Sequence, residues 1–262
     1  MHQATKQTMQ KAIHQATHKI IKITQTTRVQ IKSCMGIGLW FLIPYFYLSP
    51  VQAETIVNIS DFANEPLSAW ESKSFDGETS YDIMTDADAP VDSPSGATRH
   101  ILVARSNSSA SGLFKRQRID LQETPYLNWR WRIDKGITNA NGSIDETQKS
   151  GDDYAARIYV IVDGKLIRIN SKAVNYVWSS HQAAGSRWDN AFAPNNAKML
   201  AVRGKDDTTG QWRQEKRHVA NDFKLLFNRD VRYIDAVAIM TDTDNTQQQA
   251  QAAYADIYFS AD

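Results

Sequence analysis

An acidic segment near the C-terminus carries the residues best suited to bind a ligand or a metal ion. Asp242, Asp244 and Asn245 follow the apolar stretch Val237–Met240, which predicts a buried strand that ends near a sheet edge. Carboxylate and amide oxygens are the ligands that calcium prefers, and they also bind polar ligands. The same residues suit a hairpin connection, in which Asp and Asn satisfy backbone groups. Both interpretations stay open.

Loop classes with a similar spacing do not fit this segment. A calcium loop of EF-hand type needs Gly at its sixth position and Glu at its twelfth, and these positions hold Gln247 and Ala253. A haloacid-dehalogenase nucleophile loop needs a Rossmann-like domain downstream, whereas only 16 residues follow Thr246. An irregular calcium site is therefore the remaining metal interpretation, and no other cofactor is expected.

Arginine and aspartate residues alternate with apolar residues in the middle of the chain. In Tyr126–Ile133 the alternation places Arg130 and Arg132 on one face of a strand. Asp153 and Arg157 share a face of the next stretch by the same rule. If both strands lie in one sheet, these side chains form one cluster. Its guanidinium groups pair with carboxylates of the protein itself or with those of a ligand.

Further aromatic and polar residues extend this candidate face. Trp178 follows Asn175 on another strand, where an exposed ring stacks on sugars and a buried ring belongs to the core. Glu215 and Arg217 come from a third alternating stretch. The candidate ligand-binding residues are therefore Arg130, Arg132, Asp153, Arg157, Asn175, Trp178, Glu215, Arg217, Asp242, Asp244 and Asn245.

The elements that position these residues are mostly strands. Apolar residues at helical spacing predict one short helix over Ala220–Phe227. About nine strands with at most one or two short helices indicate an all-β fold, a single jelly-roll or β-sandwich domain. The predicted strands are Thr55–Phe62, His100–Arg105, Tyr126–Ile133, Ala155–Val162, Leu166–Ile169, Ala173–Trp178, Met199–Arg203, Val231–Met240 and Ala253–Phe259.

The first 53 residues have the composition of an export leader. They contain six basic residues and no acidic one, and an apolar run of about 15 residues, Cys34–Leu48, precedes the A-x-A-like end at Ala53. This pattern predicts a signal peptide, 1–53, whose removal leaves one domain, 54–262, in the periplasm or outside the cell. The alternative is an uncleaved anchor, although the apolar run is shorter than the roughly 20 residues that span a bilayer.

Composition narrows the function of the remaining domain. Residues 54–262 carry 24 of the 30 basic residues and all 29 acidic residues, and this acidic balance argues against a nucleic-acid partner. The single cysteine, Cys34, lies in the leader, so the domain has neither a disulfide nor thiol chemistry. The chain has no G-x-S-x-G, H-E-x-x-H, phosphate-loop or dinucleotide motif, whereas carboxylates for acid–base chemistry are plentiful.

Several strings resemble known families. A loose resemblance, of fold only, links Ile59–Phe62, Trp70 and Tyr254–Phe259 to the first and last strands of galactose-binding-like jelly rolls, which include many carbohydrate-binding modules. A second resemblance, to an uncharacterised bacterial domain-of-unknown-function family, number 3047, covers almost all of 54–262 and implies no activity. It rests on Ser111–Phe114, Leu127–Trp131, Gly151–Val160, Asn175–Trp178, Trp212–Glu215 and Ala238–Thr246.

These features favour an exported, carbohydrate-binding-like domain that recognises a glycan or another polar ligand on an Arg/Asp/Trp face. One alternative is a carboxylate-dependent enzyme that cleaves glycans, which needs two carboxylates across a cleft at roughly 5 to 10 Å. Another is an envelope scaffold or protein-interaction domain, which needs a contiguous apolar patch. We expect no nucleic-acid partner and no stable membrane span after processing.

Overall fold

The computed structural model describes residues 55–86, 88, 100–138, 144–162 and 171–262. The predicted signal peptide 1–53 and the predicted strand Leu166–Ile169 lie outside these described residues. The strands are β1 (Ile56–Asn58), β2 (Glu71–Asp76), β3 (Ser80–Thr85), β4 (His100–Asn107), β5 (Ala110–Asp120), β6 (Tyr126–Lys135), β7 (Ala156–Val162), β8 (Lys172–Trp178), β9 (Arg187–Asp189), β10 (Ala197–Arg203), β11 (Arg213–His218), β12 (Tyr233–Asp242) and β13 (Gln249–Ser260).

The strands form two sheets. The six-stranded sheet has the order β11-β6-β13-β4-β3, with β1 also paired to β13. The seven-stranded sheet has the order β2-β5-β12-β7-β8-β10-β9. Neighbouring strands run antiparallel, except that β8 and β10 are parallel. The prediction of an all-β sandwich with very few helices is confirmed.

Aromatic side chains fill the space between the two sheets. Trp129 and Trp131 point inward from β6, as the alternation of that strand predicts, and both are fully buried. Trp129 stacks on Tyr176 of β8 with ring centroids 5.4 Å apart, and Trp131 contacts Trp178 of the same strand at 5.9 Å. Trp178 is therefore a core residue, 2% exposed, and its ring is not available on a binding face.

The arginines of β6 and β7 lie in different sheets. Arg130 and Arg132 share the outer face of the six-stranded sheet, where β6 pairs with β11 and β13. Arg157 lies in the seven-stranded sheet, where β7 pairs with β12 and β8. The prediction that these arginines and Asp153 share one face is wrong, because strand parity defines a face only within one sheet.

Glu215 and Arg217 face the interior of the sandwich. Their register on β11 pairs them with Trp129 and Leu127, which are inward-facing residues of β6. Glu215 accepts a hydrogen bond at 2.6 Å from Arg203 of β10, and Arg217 donates to an aspartate of the helix that follows. Glu215 thus contributes to a contact between the sheets and Arg217 to a contact with the helix, and neither belongs to a polar face shared with the arginines of β6.

The single α-helix among the described residues, α1 (Val219–Phe227), confirms the predicted helix. Nδ1 of His218 accepts a hydrogen bond from the backbone N–H of Asn221 at 3.3 Å and caps its start, and Asn228 ends it in the left-handed region with φ 50°. Two 3-10 helices, Leu67–Ala69 and Lys149–Gly151, lie in connections. None of the described helices combines the length and apolarity needed to cross a membrane.

Candidate functional site

Three connecting segments meet at one end of the seven-stranded sheet, which we call the loop end. The first segment precedes β7 (144–155), the second follows β8 (179–196) and the third follows β12 (243–248). The amide of Asn190 donates to Asp152 at 2.7 Å, which joins the first two segments. The amide of Asn245 donates to Asp153 at 3.1 Å, which joins the first segment to the third.

Four aspartates form an acidic cluster at the loop end: Asp152, Asp153, Asp242 and Asp244. One carboxylate oxygen from each of Asp153, Asp242 and Asp244 lies within 4.8 Å of the other two. Asp152, Asp153 and Asp242 are 4%, 1% and 2% exposed, so three of the four carboxylates are shielded from water. Such burial is costly for charged groups unless they are paired or protonated.

Asp153 is oriented by donors from the segment after β12. Its Oδ1 accepts from the backbone N–H of Asn245 at 3.2 Å, and its Oδ2 accepts from the backbone N–H of Thr246 at 2.6 Å. The acidic segment after β12 is therefore not a free hairpin tip, because a buried carboxylate from another segment organises its backbone.

Arg157 is the basic partner of the acidic cluster. Its guanidinium forms an ion pair with Asp242, and both side chains are almost fully buried. The guanidinium carbon lies 4.9 Å and 5.1 Å from the ring centroids of Tyr154 and Tyr159. Burial opposes the charged form, but the carboxylate of Asp242 and the other acidic and phenolic groups nearby together outweigh it and raise the pKa of Arg157 above its ordinary value. Arg157 therefore stays charged at the loop end.

Burial shifts Asp152, Asp242 and Asp244 toward their protonated forms. It raises the pKa of Asp242 well above its usual range, although the guanidinium of Arg157 opposes the shift. Burial also raises the pKa of Asp152. For Asp244, burial and the neighbouring charge of Asp153 raise the pKa to about 6. A single arginine does not neutralise four carboxylates.

Tyr254 links the loop end to the six-stranded sheet by hydrogen bonds. This residue of β13 is fully buried, and its hydroxyl lies 2.9 Å from the backbone carbonyl oxygen of Met240. The hydroxyl oxygen of Tyr254 also accepts a hydrogen bond from the backbone N–H of Arg157 at 3.2 Å. The six-stranded sheet thus fixes the backbone on both sides of the Arg157–Asp242 pair.

Unpartnered buried polar atoms are concentrated at the loop end. In the described part of the chain, nine buried side-chain nitrogen or oxygen atoms have no hydrogen-bond partner in the protein, and most of them lie here. Because buried polar groups are nearly always bonded, this concentration marks the loop end as the candidate site. The atoms are Asp152 Oδ1, Arg157 Nε, His181 Nε2, Trp188 Nε1, Asp244 Oδ1 and Thr246 Oγ1.

Glu146 holds the segment after β8 in place. Its carboxylate, which is 1% exposed, accepts hydrogen bonds from the hydroxyl of Ser179 and from the backbone N–H of Ser180 at 2.8 Å. It also contacts Nδ1 of His181 at 3.2 Å, while Nε2 of that ring has no partner. The serine hydroxyl bonds to the carboxylate and not to the imidazole, unlike the order of a serine hydrolase triad.

An aromatic rim borders the acidic cluster. The ring of Phe192 is 55% exposed, and the ammonium group of Lys149 lies 5.3 Å from its centroid. Oδ1 of Asn190 accepts from the backbone N–H of Phe192 at 3.1 Å, while the amide of Asn190 donates to Asp152. The partly exposed ring of Trp188 lies 6.4 Å from that of Tyr154. Asn190 thus links the backbone of Phe192, whose ring is exposed, to the buried carboxylate of Asp152.

The structure brings together about half of the residues expected from the sequence. The residues that meet at the loop end are Asp153, Arg157, Asp242, Asp244 and Asn245. Asn175 lies on β8 of the same sheet, where it pairs in register with Tyr159. The residues that lie elsewhere are Arg130, ion-paired with Asp256 at 2.7 Å, Arg132, ion-paired with Asp86 at 2.7 Å, and the inward-facing Trp178, Glu215 and Arg217.

Sequence reasoning missed several residues of the loop end. Glu146 and His181 are 35 positions apart, and no spacing motif connects them. Asp152 belongs to a conspicuous Gly-Asp-Asp-Tyr string, but nothing in that string shows that Asn190 is its partner. Phe192 stands in a polar loop, where a single exposed aromatic residue carries little information before its neighbours are known.

Comparison with known proteins gives a family and distant likenesses. No curated protein matches the chain. A structure described as a carbohydrate-binding module of the β-sandwich superfamily has a TM-score of 0.39 and 7% identity, over 76% of this chain and 60% of that one. The K1 cleaved adhesin domain of Lys-gingipain from Porphyromonas gingivalis W83 has a TM-score of 0.34 and 12% identity, over 79% and 99%. A family model described as a protein of unknown function, DUF3047, matches residues 68–258, and the chain belongs to that family.

Proposed function

We propose that this protein is a binding domain that recognises a glycan, or another hydroxyl-rich polar ligand, at the loop end. The observation that carries the proposal is the position of an exposed aromatic ring, Phe192, beside a group of polar atoms that lack partners in the protein. Sugar rings present apolar C–H faces and many hydroxyl groups, so they need both kinds of contact.

The aromatic contact is provided by the rim. Phe192 is among the few exposed large apolar side chains in the described residues, and its backbone is fastened by Asn190. Trp188 is partly exposed nearby on β9. A ring held by its backbone loses little freedom when a ligand stacks on it, which favours affinity.

The polar contacts are provided by groups around Tyr154. Arg157 Nε and Trp188 Nε1 are donors without an acceptor, whereas Asp152 Oδ1 is an acceptor without a donor. A hydroxyl group both donates and accepts, so a polyhydroxylated ligand matches such a mixed set better than a simple anion does. Because these atoms are buried, a ligand would reach them by displacing part of the loop end.

The arrangement of carboxylates favours binding over cleavage. Glycosidases place two carboxyl groups roughly 5 to 9.5 Å apart on either side of the scissile bond, in a cleft that the substrate enters. Here the nearest oxygens of Asp153 and Asp242 lie within 4.8 Å, and both side chains are almost fully buried. Both also accept hydrogen bonds from neighbouring groups of the protein.

The distribution of exposed apolar residues gives less support to a scaffold. In the described part of the chain the exposed large hydrophobic residues are Phe75, Met84, Phe192 and Leu225. They lie on β2, on β3, in the connection after β9 and on α1, respectively. A protein-interaction surface needs a contiguous apolar patch, and these four residues come from four separate elements.

Replacing Phe192 with alanine is expected to weaken glycan binding and leave the fold intact. Loss of one stacking ring removes about 1 kcal/mol or more, which is on the order of a tenfold loss of affinity. The matched control is Phe75→Ala, because Phe75 is equally exposed at 52% and also lies beside a lysine. A glycan array on the purified chain identifies the ligand, and titration calorimetry with that ligand compares the variants.

Equal affinities for Phe192→Ala and Phe75→Ala would overturn the assignment of the loop end. Thermal unfolding checks that neither change harms the fold, since exposed substitutions usually shift stability by less than about 0.5 kcal/mol. Release of new reducing ends from a bound glycan would instead support the cleaving enzyme. If no glycan on the array binds the chain, the proposed ligand class is contradicted.

The proposal includes export of the domain. The basic and apolar pattern of residues 1–53 predicts processing that leaves an N-terminus near Glu54. N-terminal sequencing of the protein from the periplasm or medium of a host that makes the full chain measures this directly. An intact Met1 in that fraction would show that the segment is retained, as an uncleaved anchor would be.

A further inference from the structure

We infer that the acidic cluster is a binding site for one divalent cation, with calcium preferred, and that Asp244 is a principal ligand together with Asp153 and Asp242. This inference goes beyond the binding of a glycan, because it requires no organic ligand. It rests on the geometry of the carboxylates, on the balance of charge at the loop end and on oxygen atoms that lack partners in the protein.

The geometry brings three carboxylates within reach of one ion. One oxygen from each of Asp153, Asp242 and Asp244 lies within 4.8 Å of the other two, and calcium–oxygen distances of about 2.3 to 2.6 Å allow one ion to contact oxygens that far apart. Two of these residues are held by neighbouring strands, since Asp242 ends β12 and Asp153 precedes β7, which pairs with β12. The pairing of β7 with β12 and the hydrogen bonds from Asn245 and Thr246 to Asp153 therefore set their approach.

The balance of charge calls for a cation. Four carboxylates face one guanidinium, that of Arg157, so the ionised cluster has three negative charges in excess. A buried excess of this size is costly, and it is relieved either by protons or by a cation. A divalent ion leaves a single negative charge in excess. That charge costs less here because Asp244 is only partly buried and contacts water.

Asp152 supplies the independent observation that points to a ligand. It is 4% exposed, and only its Oδ2 is bonded, to the amide of Asn190 at 2.7 Å. Its Oδ1 has no partner in the protein. Oδ1 of Asp244 and Oγ1 of Thr246 are also buried and unpartnered. All three atoms are oxygens with free lone pairs.

The chemistry of the donors selects the ion. Oδ1 of Asp244 has no partner in the protein, whereas Asp153 and Asp242 are already oriented by backbone N–H groups and retain further lone pairs. The set contains carboxylate and hydroxyl oxygens and neither a thiolate nor an imidazole. Calcium accepts irregular arrangements of six to eight such oxygens, whereas magnesium demands a near-ideal octahedron. We therefore expect calcium to bind more tightly than magnesium.

Calorimetric titration of the purified full chain with calcium chloride, after treatment with a chelator, tests the inference. We expect one ion per chain and a higher midpoint of thermal unfolding at saturating calcium. Asp244→Asn preserves the shape and removes the charge, and it should weaken calcium binding on the order of 10- to 100-fold. The matched control is Asp230→Asn, because Asp230 is an exposed carboxylate paired with Lys224.

Each outcome decides the inference. Loss of calcium binding in Asp244→Asn but not in Asp230→Asn supports it, and Asp152→Asn provides a second variant should Asp244→Asn fail to fold. No heat of binding and no change in the unfolding midpoint of the wild-type chain would overturn it, as would equal calcium binding by all variants. Failure of glycan binding in a chain that binds calcium would reject the proposed function alone.

Discussion

Arg157→Ala is expected to lower the free energy of unfolding by about 3 to 5 kcal/mol, which is typical for breaking a buried ion pair. The guanidinium of Arg157 and the carboxylate of Asp242 are 5% and 2% exposed, so water cannot replace the lost partner. The variant leaves Asp242 buried beside other aspartates and without its guanidinium partner. The loss is largely the cost of that uncompensated charge rather than the value of the original contact.

Urea denaturation of the variant measures this loss, and Arg232→Ala provides the control. Arg232 also donates to an aspartate, Asp120, but its side chain is 54% exposed, and exposed pairs contribute about 0 to 1 kcal/mol. The double variant Arg157→Met with Asp242→Leu should recover much of the loss, because apolar residues often replace a buried pair at little cost. Equal losses for Arg157→Ala and Arg232→Ala would show that the pair is not shielded from solvent.

The sequence predicts well those features that depend on alternation within one strand. The inward stripe of β6 is correct because Trp129 and Trp131 occupy alternate positions, and the same parity correctly places Arg130 and Arg132 together on the outer face. The helix α1 is also correct, since the spacing of its apolar residues is a local property. These predictions need no knowledge of which strands are neighbours.

Pairing between strands is not contained in such local patterns. β6 and β7 follow one another in the chain, yet they lie in different sheets, so Arg130 and Arg157 never share a surface. β11 shows alternating charge that fits either orientation, and its register with β6 turns Glu215 and Arg217 inward. A shift by one residue would have turned both outward.

Edge strands explain most of the strands that were not predicted. β2 (Glu71–Asp76) and β3 (Ser80–Thr85) lie at the edges of their sheets and consist largely of polar, exposed residues. Sheets commonly protect their edges from aggregation with such residues, which removes the apolar alternation used to recognise a strand. The sequence indicates part of the candidate site because Asp242 ends one apolar strand and Asp153 precedes another, whereas Glu146 and Phe192 lie in loops without such a marker.

Gly151→Ala is expected to destabilise the loop end by roughly 1 to 3 kcal/mol, the usual cost of forcing extra atoms into a packed site. A Cβ atom at this position would lie 2.4 Å from the backbone carbonyl oxygen of Asp145. Backbone atoms cannot move aside by changing a rotamer, so the whole turn must shift. The turn carries Glu146 and leads into Asp152, and the variant should therefore also weaken both glycan and calcium binding.

Gly136→Ala is the control for this change. The nearest atom to a Cβ at Gly136 is Cγ2 of Ile133 at 3.7 Å, which is an ordinary contact, so we expect its stability to differ from that of the wild type by less than about 0.5 kcal/mol. Urea denaturation and calcium titration of the two variants separate the effects on fold and site. A Gly151→Ala variant with wild-type stability and calcium affinity would show that the turn between Asp145 and Gly151 does not position the acidic cluster. A loss of calcium affinity larger than the loss of stability explains would show that this turn positions Asp152 for the ion.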